Sequence, residues 1–283
     1  SGSALMLSYT AHPTVTFSDK GSYATTFGTP SRPSEVGVGR MGRGPKQVTT
    51  LNEDVLGDKK LATMSELTWA SSVDGRKIHG WLATPSDFDP SKKYPLWLEI
   101  HGGPYGSWGP YFSTLVQRAT AEGYVVLLPN QRGSTSYGEE FSQLIHLDYP
   151  GKDHEDYMSG IDALIAMGFV DEDQLFMAGL SAGGIATTWA VGSTDRLTAA
   201  VARGSAVNAI TDLLTNDVYP QSLDVFFPAV MPWEDPMGFW KRSSLSRVGN
   251  VTTPTLLMTG VEDYRTPIWE AEQFYQALQL RGV

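Results

Sequence analysis

The sequence predicts an α/β fold, a mostly parallel sheet with helices on both faces, preceded by a short all-β segment. Three observations carry this. From Ser65 onward, dense apolar runs alternate with stretches of helical spacing, the pattern of strands buried on both faces. Before residue 51, short β-like runs are broken by turn-formers and show no helical period. A chain of 283 residues that is 41% hydrophobic can also bury a sizeable core.

In the first part the runs are Leu5–Thr10, Thr14–Phe17, Tyr23–Phe27 and Gln47–Thr50. Turns are expected at His12-Pro13, Asp19–Gly21 and Gly28–Pro33. Gly37–Gly42 matches a GxGxxG string, but a turn precedes it where dinucleotide binding needs a strand, so it reads as a glycine-rich loop. Residues 51–65 read as a polar connector with one helical turn. Leu67–Ala70 and Lys77–Thr84 flank the turn Val73–Gly75, giving a hairpin. Leu96–Ile100, Tyr124–Leu128, Leu175–Ala178, Ala199–Ala202 and Thr255–Met258 read as strands. Residues 112–122, Lys152–Met167, Gly184–Val191 and Ile268–Leu280 read as helices.

The formal charge of −10 argues against a nucleic-acid or anionic-membrane surface. Without cysteine there is no disulfide, no thiolate metal site and no cysteine nucleophile. No metal and no cofactor is expected. No apolar run approaches the roughly 20 residues of a membrane helix. The first residues lack a basic segment, a cleavage pattern and an initiator Met, so the chain reads as an internal piece whose compartment stays open.

Ligands of such folds sit at the carboxyl ends of the strands, and the unusual residues fall there. Gly179-Leu180-Ser181-Ala182-Gly183 follows a strand and opens a helix, the context a nucleophile elbow requires. A serine at that sharp turn needs neighbours at ±2 with almost no side chain. The bland alternative is a glycine-rich helix start capped by Ser181. An oxyanion needs donors, and the Ala182 N–H is one candidate. The other lies in His101-Gly102-Gly103-Pro104, just after the strand Leu96–Ile100, where an ordinary Gly-Pro turn is the alternative. The acid should follow the nucleophile. Asp263, past the strand Thr255–Gly260, is the candidate, with Glu262 as rival and helix capping as the alternative role.

These residues, together with Asp74–Trp81, Tyr94-Pro95, Arg132–Gly138, Asp148–Asp153, Thr253–Thr255 and Asp263–Pro267, resemble the catalytic domain of the prolyl oligopeptidase family of serine peptidases. The likeness runs over residues 60–283, and the acylaminoacyl-peptidase and dipeptidyl-peptidase-like members are most similar. The resemblance implies an α/β-hydrolase fold for residues 63–283, incomplete at the C-terminus. It implies that residues 1–62 are the end of a β-propeller and its connector. It implies Ser181 as nucleophile, Asp263 as triad acid, the Gly103 and Ala182 N–H groups as oxyanion donors, and a peptide or acylated peptide as substrate. Arg265 matches a position that reaches a substrate carbonyl in relatives, and a salt bridge is the equal alternative. Arg132 is expected to hold its loop by pairing with a carboxylate.

The departure concerns the base. In relatives the catalytic His follows the acid, whereas His12, His79, His101, His146 and His154 all precede Asp263. His101 sits on the oxyanion strand, and His154 is expected to be solvated. Peptidase activity is therefore expected to be impaired in this chain, with a carboxylesterase or a catalytically dead fragment as alternatives. A bare sheet edge is expected as well, which would permit self-association.

Overall fold

The computed structural model describes residues 14–226 and 230–283. The strand expected at Leu5–Thr10 and the residue His12 lie outside the described residues.

Strands β1 (Val15–Phe17), β2 (Ser22–Thr29), β3 (Arg32–Arg40) and β4 (Lys46–Gln47) form an antiparallel sheet in chain order. The glycine-rich loop expected at Gly37–Gly42 is largely strand β3 instead. Tyr23 pairs opposite Gly39, and a Cβ there would lie 2.6 Å from the Tyr23 ring. A Cβ on Gly37 would lie 2.7 Å from the Phe27 ring. These glycines are strand residues that make room for aromatic rings, so they carry no alternation for a pattern search to find.

A single turn, α1 (Glu53–Leu56), interrupts the connector. There follow β5 (Thr63–Ala70), β6 (Lys77–Thr84), β7 (Tyr94–Ile100), α2 (Thr114–Ala121), β8 (Val125–Asn130), α3 (Glu139–Gln143), α4 (Asp153–Ala166), β9 (Val170–Leu180), α5 (Ala182–Val191) and β10 (Ala199–Arg203). Three short helices, α6 (Ala209–Thr215), α7 (Tyr219–Phe226) and α8 (Pro236–Arg242), and a 3₁₀ segment over Ser244–Asn250 precede β11 (Thr255–Met258) and α9 (Ile268–Arg281). The seven-stranded sheet has the order β11-β10-β9-β7-β8-β6-β5, a mixed sheet of the α/β-hydrolase type. The chain divides into two compact units. One holds the described residues up to Ser65 with Trp81–Asp89 and Gly109–Val126, and the other holds Glu66–Gly80, Pro90–Trp108 and Leu127–Val283. Everything below on the candidate site belongs to the second unit.

The apolar runs explain the central strands. Leu96, Leu98 and Ile100 of β7 and every residue of β8 are buried. β7, β9, β10 and β11 pair in parallel, with Ile100 opposite Gly179, and Arg203 opposite both Leu180 and Met258. Their carboxyl ends therefore stop at one edge, where the candidate site residues fall. Strand β11 is the last in the sheet, and its burial alternates, leaving Leu256 and Met258 exposed. Two expectations are corrected. Helix α5 begins at Ala182 rather than Gly184, because the chain turns into helix directly after Ser181. His154 is buried on α4 rather than solvated.

Arg132 and α4 brace this edge. The Arg132 Nε and a terminal nitrogen donate to the two Asp156 oxygens at 2.9 and 3.0 Å, and the Arg132 backbone N–H donates to Asp156 Oδ2 at 2.9 Å. The guanidinium also donates to Ser71 Oγ at 2.8 Å.

Candidate active site

Ser181 joins β9 to α5 with φ 58° and ψ −120°. That conformation costs a non-glycine residue about 1–3 kcal/mol and persists only where the surroundings over-determine it. Here they do. The Ser181 N–H donates to the Arg203 carbonyl at 2.9 Å, and the Ile185 N–H donates to the Ser181 carbonyl at 3.0 Å. A Cβ on Gly179 would lie 2.3 Å from the Gly183 oxygen, and one on Gly183 would lie 2.2 Å from the Ile100 oxygen. A Cβ on Gly184 would lie 2.5 Å from the Arg203 oxygen. Helix α5 thus rests on the ends of β7 and β10 through bare backbone. Gly183→Ala is expected to push α5 off β7 and cost at least about 1–3 kcal/mol, since the opposing atoms are backbone and cannot yield. A shift of about 1 Å at the serine should cut turnover on the order of 10²-fold. Thermal unfolding and ester hydrolysis of this variant check both parts.

The Ser181 side chain does not cap α5 and makes no hydrogen bond to another described residue. The first-turn N–H groups of the helix, Ala182 among them, have no carbonyl one turn back to donate to. Loop 101–104 closes the other side. A Cβ on Gly102 would lie 3.5 Å from Ser181 Cβ and 3.1 Å from the Leu180 oxygen. Gly103 has φ +133°, and a Cβ there would lie 2.6 Å from the Tyr105 nitrogen, so only glycine fits.

His101 holds this loop rather than serving Ser181. The Gly102 carbonyl can only accept, so His101 Nδ1 carries the proton and donates to it at 2.8 Å. Nε2 then accepts, and it lies 2.9 Å from Ser134 Oγ and 3.1 Å from Gln131 Nε2. Burial keeps the ring below the usual imidazole pKa, with the Gly102 hydrogen bond opposing, so the neutral form is the one present.

Asp263 lies in the loop after β11. Its Oδ1 accepts from the Arg265 and Thr266 N–H groups at 2.9 and 3.0 Å, and its Oδ2 accepts from Thr266 Oγ1 at 3.0 Å. These bonds fix a turn ahead of α9, whose N-cap is Pro267, so Asp263 does not cap the helix. Asp263 Oδ2 and Leu180 Cδ1 both lie within 4 Å of where a Gly204 Cβ would stand. The fold thus brings Ser181, Gly102–Gly103, Ala182 and Asp263 to one place, while Glu262 is exposed. Arg265 meets Asp217 instead, with Nε 2.6 Å from Oδ1.

Several contacts at the site carry no signal of their own in the sequence. The Tyr149 hydroxyl donates to the Ala182 carbonyl at 2.5 Å, from a motif that the sequence marks without giving it a task. Glu99 on β7 pairs with Arg203 on β10 and accepts from Trp97 Nε1 at 3.0 Å, joining strands far apart in the chain. Among the described residues no group of His, Asp and Glu is arranged to hold a metal ion, and no helix is long and apolar enough to cross a membrane.

Residues 110–283 match the prolyl oligopeptidase family. The uncharacterized peptidase YuxL of Bacillus subtilis is 37% identical over 254 residues, covering 89% of this chain and 38% of that protein. Dipeptidyl-peptidase 5 of Schizosaccharomyces pombe is 30% identical over 244 residues, covering 83% and 35%. The solved acylaminoacyl peptidase of Pyrococcus horikoshii is similar with a TM-score of 0.85 at 26% identity, over 92% of this chain and 42% of that one. An acylaminoacyl peptidase in complex with Z-Gly-Gly-Phe-chloromethyl ketone gives 0.84 at 27% identity, over 92% and 41%. The chain spans about two fifths of the length of these relatives.

Proposed function

The chain belongs to the prolyl oligopeptidase family, and from that premise we propose that it is a serine-type peptidase acting through an acyl-enzyme on Ser181. The observation that carries this is the strained Ser181 backbone, held between Gly179 and Gly183 beside Gly102–Gly103 and near Asp263. In the first step Ser181 Oγ bonds to the substrate carbonyl carbon, and the C=O pair moves to oxygen. The N–H groups of Gly103 and Ala182 stabilise that oxyanion, each worth about 3–4 kcal/mol. Collapse breaks the C–N bond and the amine leaves with a proton. Water then hydrolyses the ester. A relative of the fold in complex with a peptidyl chloromethyl ketone supports a peptide-shaped substrate.

The proton on Oγ needs an acceptor, and Asp263 serves as the acid that would orient it. Among the described residues no imidazole is hydrogen-bonded to Ser181, and both His101 nitrogens are engaged elsewhere. Turnover by this chain alone is therefore proposed to be severely impaired. That same observation favours a second reading, a carboxylesterase, because esters need less protonation of the leaving group. Arg265 is proposed to reach a substrate carbonyl by releasing Asp217, an exposed pair and so weakly held. Residues 1–62 are assigned to the end of a β-propeller with its connector, which the four-stranded antiparallel sheet supports, and 63–283 to the hydrolase domain.

Rates on a p-nitrophenyl ester and on aminoacyl anilides test the function. Comparable anilide turnover supports the peptidase, and ester cleavage alone supports the esterase. A fluorophosphonate that fails to label Ser181 leaves only the catalytically dead reading.

A further inference from the structure

A small cavity lies against the first turn of α5. Tyr149, Ile185, Ala206, Val207 and Phe226 give it mostly apolar walls, and Asp212 lines it as well. It adjoins the nucleophile through two bonds already described: the Tyr149 hydroxyl to the Ala182 carbonyl, and the Ile185 N–H to the Ser181 carbonyl.

Asp212 is out of place in such walls. Its Oδ2 accepts from Asn216 Nδ2 at 3.2 Å, while its Oδ1 is buried and makes no hydrogen bond to a described residue. The neighbouring acid is satisfied by contrast. Glu270 accepts from the Val207 and Asn208 N–H groups at 2.9 and 2.8 Å and from Thr211 Oγ1 at 2.5 Å. No salt bridge reaches Asp212 among the described residues. Arg242, which also lines the cavity, spends its guanidinium on the Phe226 and Leu147 carbonyls. A buried carboxylate oxygen without a donor is costly, and a ligand that brings a charged donor removes that cost.

We propose that Asp212 is a specificity-determining residue, and that this cavity receives a substrate side chain ending in a protonated amine, as in lysine. The inference rests on Ser181 being the nucleophile, since that is what makes the cavity a substrate subsite. Two features agree with it. The walls suit an aliphatic stem, and the Arg242 guanidinium that also lines the cavity is engaged by the Phe226 and Leu147 carbonyls, so it does not pair with Asp212. Burial first and Glu270 second push the Asp212 carboxyl up to about 7, so near pH 8 it is mostly ionised, and a bound amine would hold it so.

The test has a binding arm and a turnover arm, both on the full chain near pH 8. In the first, pentylamine and pentan-1-ol are titrated and binding is read by saturation-transfer NMR, which needs no catalysis. Pentylamine is expected to bind about tenfold more tightly or better, as a charge-assisted hydrogen bond implies, and Asp212→Asn should erase the difference. In the second, p-nitrophenyl esters of N-acyl-lysine and N-acyl-norleucine are compared. The wild type should prefer lysine, and Asp212→Asn should invert the order. Equal binding of amine and alcohol, or a variant that keeps the preference, overturns the proposal. Should the variant not fold, the wild-type comparisons decide alone. If the amine binds through Asp212 while a fluorophosphonate leaves Ser181 unlabelled, the cation site stands and the catalytic reading falls. If Ser181 is labelled and no amine preference is found, the nucleophile stands and the cation site falls.

Discussion

Ser181→Ala is expected to abolish covalent labelling by a fluorophosphonate and to reduce ester hydrolysis to what the remaining N–H donors provide. Alanine keeps the Cβ, so the packing of Gly102 and Gly179 around the elbow is unchanged, and only the hydroxyl is removed. In a complete triad such a loss reaches about 10⁶ in kcat, and triad members act as one unit rather than additively. The hydroxyl here has no imidazole partner among the described residues, so the fall in rate should stay well short of that limit. The loss of labelling should still be complete, because Ser181 is the residue held at the turn from strand β9 into helix α5. Intact-mass spectrometry after probe treatment reads the outcome. A persisting adduct in the variant would place the nucleophile elsewhere.

Arg132→Ala is expected to have the largest effect on stability. Its guanidinium is 3% exposed and its partner Asp156 is fully buried. Truncation leaves the Asp156 carboxylate in the interior with the Arg132 backbone N–H as a remaining donor, a change that costs about 3–5 kcal/mol. For a chain of this size the melting temperature should fall by about 10 °C. Replacing both partners, Arg132→Met with Asp156→Leu, should recover much of the loss, because no buried charge is then stranded. Calorimetry of the wild type and the two variants checks this. If the double variant is no better than the single one, the stabilisation does not come from the ion pair. The effect should also reach the site, because Gln131 and Ser134 flank Arg132 and hold His101, and His101 holds the Gly102 carbonyl.

Much of the fold and the site is legible in the sequence because it is local. The strands β7, β8 and β10 announce themselves as continuous apolar runs. The elbow is legible because its strain demands glycine at both sides of Ser181 within one short string. Strand β9 shows only its second half, since Asp171, Glu172 and Asp173 hide the first residues of a strand that runs from Val170. Gly37 and Gly39 mislead for a related reason: their meaning lies in the Phe27 and Tyr23 rings across the strand pair, not in their neighbours along the chain. Helices α6, α7 and α8 leave no clear mark. At seven or eight residues each they show too little of the helical period, and their stability comes from packing.

By itself the sequence determined the order of the pieces: a β-rich start, an α/β domain, and Ser181 followed by Asp263, each at the end of a strand. It also determined that every histidine precedes that acid. Only the tertiary structure decided what those residues touch. It turned both His101 nitrogens toward Gly102, Ser134 and Gln131, set Arg265 against Asp217, and left one buried oxygen of Asp212, a residue that lines an apolar cavity beside α5, without a hydrogen bond to a described residue. The physical reason is one of range. Periodicity and turn chemistry act over a few residues and are written in order along the chain. Hydrogen bonds, desolvation and packing act through space, between residues that only the parallel register and the buried helix bring together.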